Sequence, residues 1–197
     1  DALLACQMGD TTVDAALKDK ILVIGENIKI RRFTRYEGPC AAYIHAGGTH
    51  AVLVSFNTSD EIAANPAFEA CGKDVCMQIA AVNPSYVRES DVPADVIEKE
   101  KEILLAQIES DPKNANKPAQ VKEKMITGKI GKYYKENCLV DQEFVKDPDL
   151  TVGKYVEKVA GQLGGSIEIV KFERYEKGEG LEKRADDFAS EVASMMK

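Results

Sequence analysis

The chain has 197 residues, 44% of them apolar and 30% charged, with a net charge of −7. That length suits one larger domain or two small ones, and the composition is ordinary for a globular protein. The acidity argues against nucleic-acid binding as the main role, because phosphate recognition depends on a basic surface that displaces counterions; it suits a basic or mixed protein partner instead. No run of about 18 apolar residues occurs, so no membrane span is expected. The opening Asp1-Ala2-Leu3-Leu4-Ala5-Cys6 has neither the basic region nor the length of a signal segment, and a start on Asp rather than Met leads us to expect residues upstream. Five cysteines, at positions 6, 40, 71, 76 and 138, form no disulfide framework, which points to a reducing cytosol.

In chain order, Val13, Ala16, Leu17, Ile21 and Ile24 make a helical stripe over residues 12–24, with Thr12 as its cap. Ile28 to Phe33 is rich in β-formers and reads as a strand. Gly38-Pro39 is turn punctuation. Two apolar runs, 40–46 and 51–56, flank Gly47-Gly48-Thr49 and predict a β-hairpin. Because Ala51-Val52-Leu53-Val54 is apolar at every position, its strand is expected to be central and covered on both faces. Residues 67–82 predict a helix ending before Asn83-Pro84, since proline disfavours helix at the residue before it.

Two further helices follow, at 94–109 and 118–135. Their stripes are Val96, Ile97, Leu104 and Ile108 on the first, and Val121, Met125, Ile126, Ile130 and Tyr133 on the second. The polar, proline-containing stretch 110–118 between them makes an αα-hairpin with arms roughly 24 Å long at about 1.5 Å per residue. Residues 138–146 are expected to be extended, 151–163 helical with a stop at Gly164-Gly165, 167–175 a strand, and 181–196 a terminal amphipathic helix. The sum is an α+β fold: a small antiparallel sheet with helices packed on one side, an inserted helical hairpin and a C-terminal tail helix.

No catalytic or cofactor pattern emerges. Cys71 and Cys76 could be imagined with His45 and His50 as a zinc site, but five residues along a helix point about 140° apart. They read as small buried thiols. Cys40 and His45, five apart on a strand, project to opposite faces and make no nucleophile–base pair. The glycines at 161, 164 and 165 form neither G-x-G-x-x-G nor a P-loop, and no Lys-Ser/Thr pair follows Gly178 and Gly180, so the chain is not expected to bind nucleotide directly. Glu98-Lys99-Glu100-Lys101-Glu102 reads as a solvated helix face. No metal or cofactor is expected, and no enzyme.

What remains is a set of short motifs in a set order. They are Gly25-Glu26-Asn27-Ile28-Lys29-Ile30-Arg31-Arg32, Tyr43-Ile44-His45-Ala46-Gly47-Gly48, Met77-Gln78-Ile79-Ala80-Ala81, Phe144-Val145-Lys146-Asp147, Thr151-Val152-Gly153 and Phe172-Glu173-Arg174-Tyr175-Glu176-Lys177-Gly178-Glu179-Gly180-Leu181-Glu182-Lys183. Together they resemble the bacterial-type elongation factor Ts family, the guanine-nucleotide exchange factors of the GTPase elongation factor Tu, over nearly all of residues 20–197. The resemblance implies a bacterial cytoplasmic protein, more than an organellar one, that binds elongation factor Tu and promotes GDP release.

It also implies a division of the chain. Residues 1–38 would be the second half of a first core subdomain, 39–93 and 138–178 a second core subdomain, 94–137 an inserted helical hairpin of the dimerisation type, and 179–197 a C-terminal helical module. By the same resemblance His45, Ala46 and Gly47, with Phe144, Val145 and Lys146, would grip the third domain of the GTPase. Phe188, Val192 and Met195 of the tail would dock on its GTPase domain. The family's Thr-Asp-Phe-Val wedge is absent from these 197 residues, so the chain looks like the C-terminal two thirds of a factor, able to bind without efficient exchange. Half a subdomain is expected to leave a sheet edge and apolar face uncovered around Ile28, Ile30 and Phe33, open to a second copy or an N-terminal fragment of the same factor. The alternative reading is a non-catalytic α+β interaction module that self-associates through the helical hairpin.

Overall fold

A computed structural model describes residues 2–181. The chain divides into two compact units, residues 1–35 and 36–197. The expected tail helix, with Phe188, Val192 and Met195, lies outside the described residues.

In the first unit, β1 (Gln7–Met8) and β2 (Thr11–Thr12) pair as a minimal hairpin ahead of α1 (Val13–Ile24). The Thr12 hydroxyl caps α1 by accepting from the Ala15 amide at 3.2 Å, as its sequence position predicts. Gly25 closes the helix with φ 78°. Nothing on α1 is buried. Leu22 and Val23 are more than 80% exposed, and Phe33 is 61% exposed. The strand expected at 28–33 does not form: β-forming side chains supply propensity, but a ladder needs a partner, and no described strand pairs with these residues. The exposed apolar groups Ile30 and Phe33 therefore sit outside any strand and not on a sheet edge.

The second unit is built on an antiparallel sheet in which β4 (His50–Asn57) lies between β3 (Cys40–His45) and β7 (Glu168–Glu176). Its register pairs His45 with His50 at the hairpin end and Val54 with both Ala41 and Phe172. The expectation of a central β4 holds, but its burial is one-sided. Val52, Val54 and Phe56 are within 3% of full burial, while Ala51 and Leu53 on the opposite face are only half-buried. The helices pack on one side, so an all-apolar run reads here as one core face plus a tolerated second face.

A one-turn helix α2 (Asp60–Ala63) leads to α3 (Pro66–Val82), which is capped by Asn65 and ends at Asn83 with φ 53°. α3 lies against β3 and β4 and buries Phe68, Cys71, Val75, Cys76 and Ile79. The Phe68 ring meets Phe56 edge-on at 5.3 Å between centroids. Gly72 lets α3 approach the sheet: a Cβ there would lie 2.7 Å from the Ala41 Cβ and 3.6 Å from the Phe56 ring.

The helical hairpin is α4 (Ala94–Ser110) and α5 (Ala119–Asn137), sealed along its own seam by Leu104, Ile108 and Ile130. Its root is tied down at Asn137, whose carbonyl accepts from the Ser85 and Tyr86 amides, and at Leu139, whose amide donates to the Tyr86 carbonyl. The stretch 138–146, expected to be extended, is interrupted by a 3-10 turn at Leu139–Asp141 that drives Leu139 into the core. Extension resumes only in a second small hairpin, β5 (Glu143–Phe144) with β6 (Asp147–Thr151). Thr151 then caps α6 (Val152–Gln162), which buries Val152, Val156, Val159 and Ala160 against α3. The architecture is the expected α+β one. Among the described residues no helix is long and apolar enough to cross a membrane.

Replacing Gly72 with Ala should destabilise the protein by about 1–3 kcal/mol, because the new methyl meets a strand Cβ that moves only with its backbone. A shift of the urea midpoint with unchanged slope is the expected readout; an unshifted midpoint would mean the helix–sheet spacing is loose.

Candidate partner-binding surface

Two exposed loops of the second unit carry the residues singled out in the sequence. The first is the tip joining β3 to β4. Three successive residues there, Ala46, Gly47 and Gly48, have φ of 46°, 65° and 94°. Left-handed backbone suits the glycines but costs Ala46 roughly 1–2 kcal/mol, so the tip holds local strain. Flanking side chains brace it. The Tyr43 hydroxyl and His45 Nδ1 are 3.0 Å apart, as are Thr49 Oγ1 and His50 Nδ1 at 3.1 Å. His50 Nε2 lies 3.5 Å from a Glu176 carboxylate oxygen that also accepts from Arg174 at 2.9 Å. Arg174 beside Glu176 holds that carboxyl below the usual range. His45, Ala46 and Gly47 are all exposed.

The second loop is the turn of the β5–β6 hairpin, and it is held from beneath by α3. Gln78, fully buried on that helix, uses both ends of its amide. Its Nε2 donates to the Glu143 carbonyl at 3.1 Å and to Gln142 Oε1 at 3.2 Å, and its Oε1 accepts from the Val145 amide at 2.9 Å. Gln142, also buried, passes the link on by donating to the Glu136 carbonyl at the foot of α5. One turn earlier on α3, Asp74 accepts from the Tyr155 hydroxyl at 2.8 Å and pairs with Lys146 Nζ at 2.5 Å. The Tyr155 ring stacks on Phe144 at 4.3 Å, and burial with the Asp74 hydrogen bond raises the phenol well above its usual range. Val145 is left 45% exposed on a backbone pinned on both sides.

The expected site residues thus fall into different roles. Val145 and Lys146 face solvent, Lys146 as a partner of Asp74. Phe144 is 3% exposed and belongs to the core, where its ring seats the loop; its side chain is not presented at the surface. The residues that sequence reasoning missed are the supports: Gln78, Gln142, Asp74 and Tyr155. A signal for Gln78 was present, since a lone glutamine interrupts the apolar face of Met77-Gln78-Ile79-Ala80-Ala81. Buried amides in such a position need partners.

The three buried thiols are set against nucleophilic work. Burial pushes Cys71 and Cys138 up to about 11 and Cys76 to about 12, and among the described residues no group of three His, Cys, Asp or Glu side chains could hold a metal ion.

The family model for elongation factor TS matches residues 1–179, which include both loops. The chain belongs to the elongation factor Ts family. It is 49% identical over 190 residues to elongation factor Ts of Symbiobacterium thermophilum, covering 94% of this chain and 60% of that relative. Against elongation factor Ts of Clostridium perfringens it is 44% identical over 190 residues, with 95% and 60% covered. Against that of Desulforamulus reducens it is 49% identical over 162 residues, with 82% and 73% covered. The chain therefore spans about 60% of the length of the first two elongation factor Ts relatives.

Two outcomes follow from this geometry. Gln78→Leu should cost about 2–4 kcal/mol, because it orphans the buried Gln142 Oε1 together with the part-buried Val145 amide and Glu143 carbonyl, and should speed hydrogen exchange at Val145 ahead of the sheet amides. An unchanged exchange rate there would show that the clamp is dispensable. At pH 8, iodoacetamide should label exposed Cys6 while Cys71, Cys76 and Cys138 stay unmodified until the protein unfolds, since thiolate is the reacting form and burial suppresses it.

Proposed function

We propose that this chain belongs to a bacterial cytoplasmic translation factor that promotes GDP release from elongation factor Tu, and that these 197 residues supply binding to the GTPase but little exchange by themselves. The observation that supports this best is that the elongation factor TS match extends over residues 1–179 and so includes both exposed loops. In this reading His45, Ala46 and Gly47 form one contact and Val145 with Lys146 the other, both to the third domain of the GTPase. Phe144 positions Val145 from below. Phe188, Val192 and Met195 add a contact to the GTPase domain. The corresponding division is 1–38 as the second half of a first core subdomain, 39–93 with 138–178 as a second, 94–137 as the inserted hairpin, and 179–197 as the C-terminal module.

An exchange factor makes no chemical bond. It holds the nucleotide-free GTPase more tightly than the nucleotide-bound one, and linkage lowers nucleotide affinity by the same factor. A grip that is equal in both states shifts nothing. A pre-shaped tip and a clamped loop supply such a uniform grip, with little ordering cost on binding. The Thr-Asp-Phe-Val wedge, which would discriminate between the states, does not occur in these 197 residues. Binding without efficient exchange is the consequence.

The rival reading is self-association through the helical hairpin, which exposes Ile103, Leu105 and Val121 at 52%, 38% and 39%. Gel filtration of the chain with and without elongation factor Tu separates the two. The expected result is a mixed complex that His45→Ala and Val145→Asp each weaken about 10-fold, or about 1.4 kcal/mol, with slow release of fluorescent GDP. Fast GDP release by this chain alone would overturn the uniform-grip account. Absence of any mixed complex, with a dimer in its place, would favour the rival.

A further inference from the structure

The net charge of −7 conceals a strong local reversal. Between positions 113 and 135 lie seven lysines and a single acidic residue, Glu123, a local charge of +6. The preceding arm α4 is the opposite, with Asp95, Glu98, Glu100, Glu102 and Glu109 against Lys99 and Lys101. The hairpin is thus acidic along one helix and basic along its turn and second helix. Only part of the basic charge is neutralised across the seam: Lys122 reaches Glu109 at 3.4 Å. Lys132 pairs with Glu136 on its own helix. Lys113, Lys124 and Lys129 are exposed and make no ion pair with any described residue.

The arrangement on α5 has a geometry as well as a sign. At 3.6 residues per turn, Lys124, Lys132 and Lys135 fall within an arc of about 80° and span about 16 Å of helix. Gly128 lies within this arc and Gly131 about 20° outside it, and a Cβ at either would meet nothing within 4 Å. The strip is therefore a shallow track with backbone exposed along it and exposed lysines at both ends, Lys124 unpaired, Lys132 shared with Glu136 and Lys135 near Asp141. Few apolar anchors lie along it, which is unlike the centre of a protein–protein interface. Cations spread along a line with bare backbone between them instead fit a chain of phosphates, which Lys binds as point charges.

We propose that the outer face of α5 is an RNA-binding surface that contacts the phosphate backbone without reading sequence. The acidic α4 arm repels the same polyanion and so confines it to the α5 side. This surface stands on different elements from the two loops assigned above and does not depend on that assignment.

The test is fluorescence anisotropy of the full chain with a fluorescein-labelled RNA stem-loop over a potassium chloride series. Neutralising three to four phosphates predicts a slope of log affinity against log salt of about −2 to −4, with dissociation constants in the micromolar range or weaker. The triple variant Lys124→Glu, Lys132→Glu, Lys135→Glu should lose at least about 10-fold in affinity and flatten the slope. A control triple, Lys73→Glu, Lys158→Glu, Lys177→Glu, changes net charge equally on other elements and should bind as the parent does. Lys→Gln replacements at 124, 132 and 135, with helicity followed by circular dichroism, separate lost contacts from a lost helix. Equal losses in both charge-reversal triples would overturn the proposal by reducing it to net charge. No salt-dependent binding of the RNA would do the same, as would displacement by polyglutamate at equal charge concentration, which would mark the face as a site for an acidic protein.

Discussion

One buried side chain, Gln78, organises the second unit. α3 could have completed its apolar stripe with leucine at this position and kept the core. An amide here instead imposes a direction, because its donor end must find carbonyl oxygens and its acceptor end an amide hydrogen. Both ends are satisfied by the strand turn that carries Val145, and Gln142 extends the chain of bonds to the foot of α5. A fully satisfied buried network of this kind gains strength from the low local dielectric, and is costly if any member is lost. It ties three separate things together: the helix that covers the sheet, the loop that faces solvent and the root of the helical hairpin.

That linkage explains why the unit can carry a projecting hairpin at all. α4 and α5 bury little against the sheet, and only Leu104, Ile108 and Ile130 along them are fully buried. Helices in proteins, these of 17 and 19 residues included, owe most of their stability to tertiary packing. The support enters at the base, where the Asn137 carbonyl accepts two amides from 85–86, Tyr86 bridges Cys138, and Gln142 holds the Glu136 carbonyl. The Tyr155–Asp74–Lys146 chain does the same for the opposite side of the β5–β6 turn, so the loop is restrained from two helices at once.

Much of the fold was legible in the sequence because the responsible signals are local. Thr12, Asn83-Pro84, the Gly47-Gly48 pair and the stripes of α4 and α5 each act within a few residues, and the elements formed where these placed them. The failures are of another kind. Ile28 to Phe33 has the residue types of a strand, but pairing is decided elsewhere in the chain. The run at 51–54 announced an inner strand, yet whether its second face is covered depends on which side the helices choose. Likewise Phe144 and Val145 are adjacent and both apolar, and only the Tyr155 stack and the Gln78 bonds decide which of them faces inward. Supporting residues are hard to read for the same reason: Asp74 and Gln78 act on residues about 70 positions away.

The glycines of α5 bring stability and surface chemistry into opposition. An exposed helix gains about 1 kcal/mol from each Gly-to-Ala exchange, and neither Gly128 nor Gly131 has a neighbour that an added methyl would touch. Folding of this chain alone therefore gives no reason for two glycines three residues apart in a helix with so small a seam. Flanking lysines add a further cost, since like charges on one helix face repel. A segment that weakens its own helix twice over, while the opposite arm carries compensating acid, is shaped by something outside the fold. The sign of the charge and the bareness of the backbone both indicate an anionic surface that approaches closely.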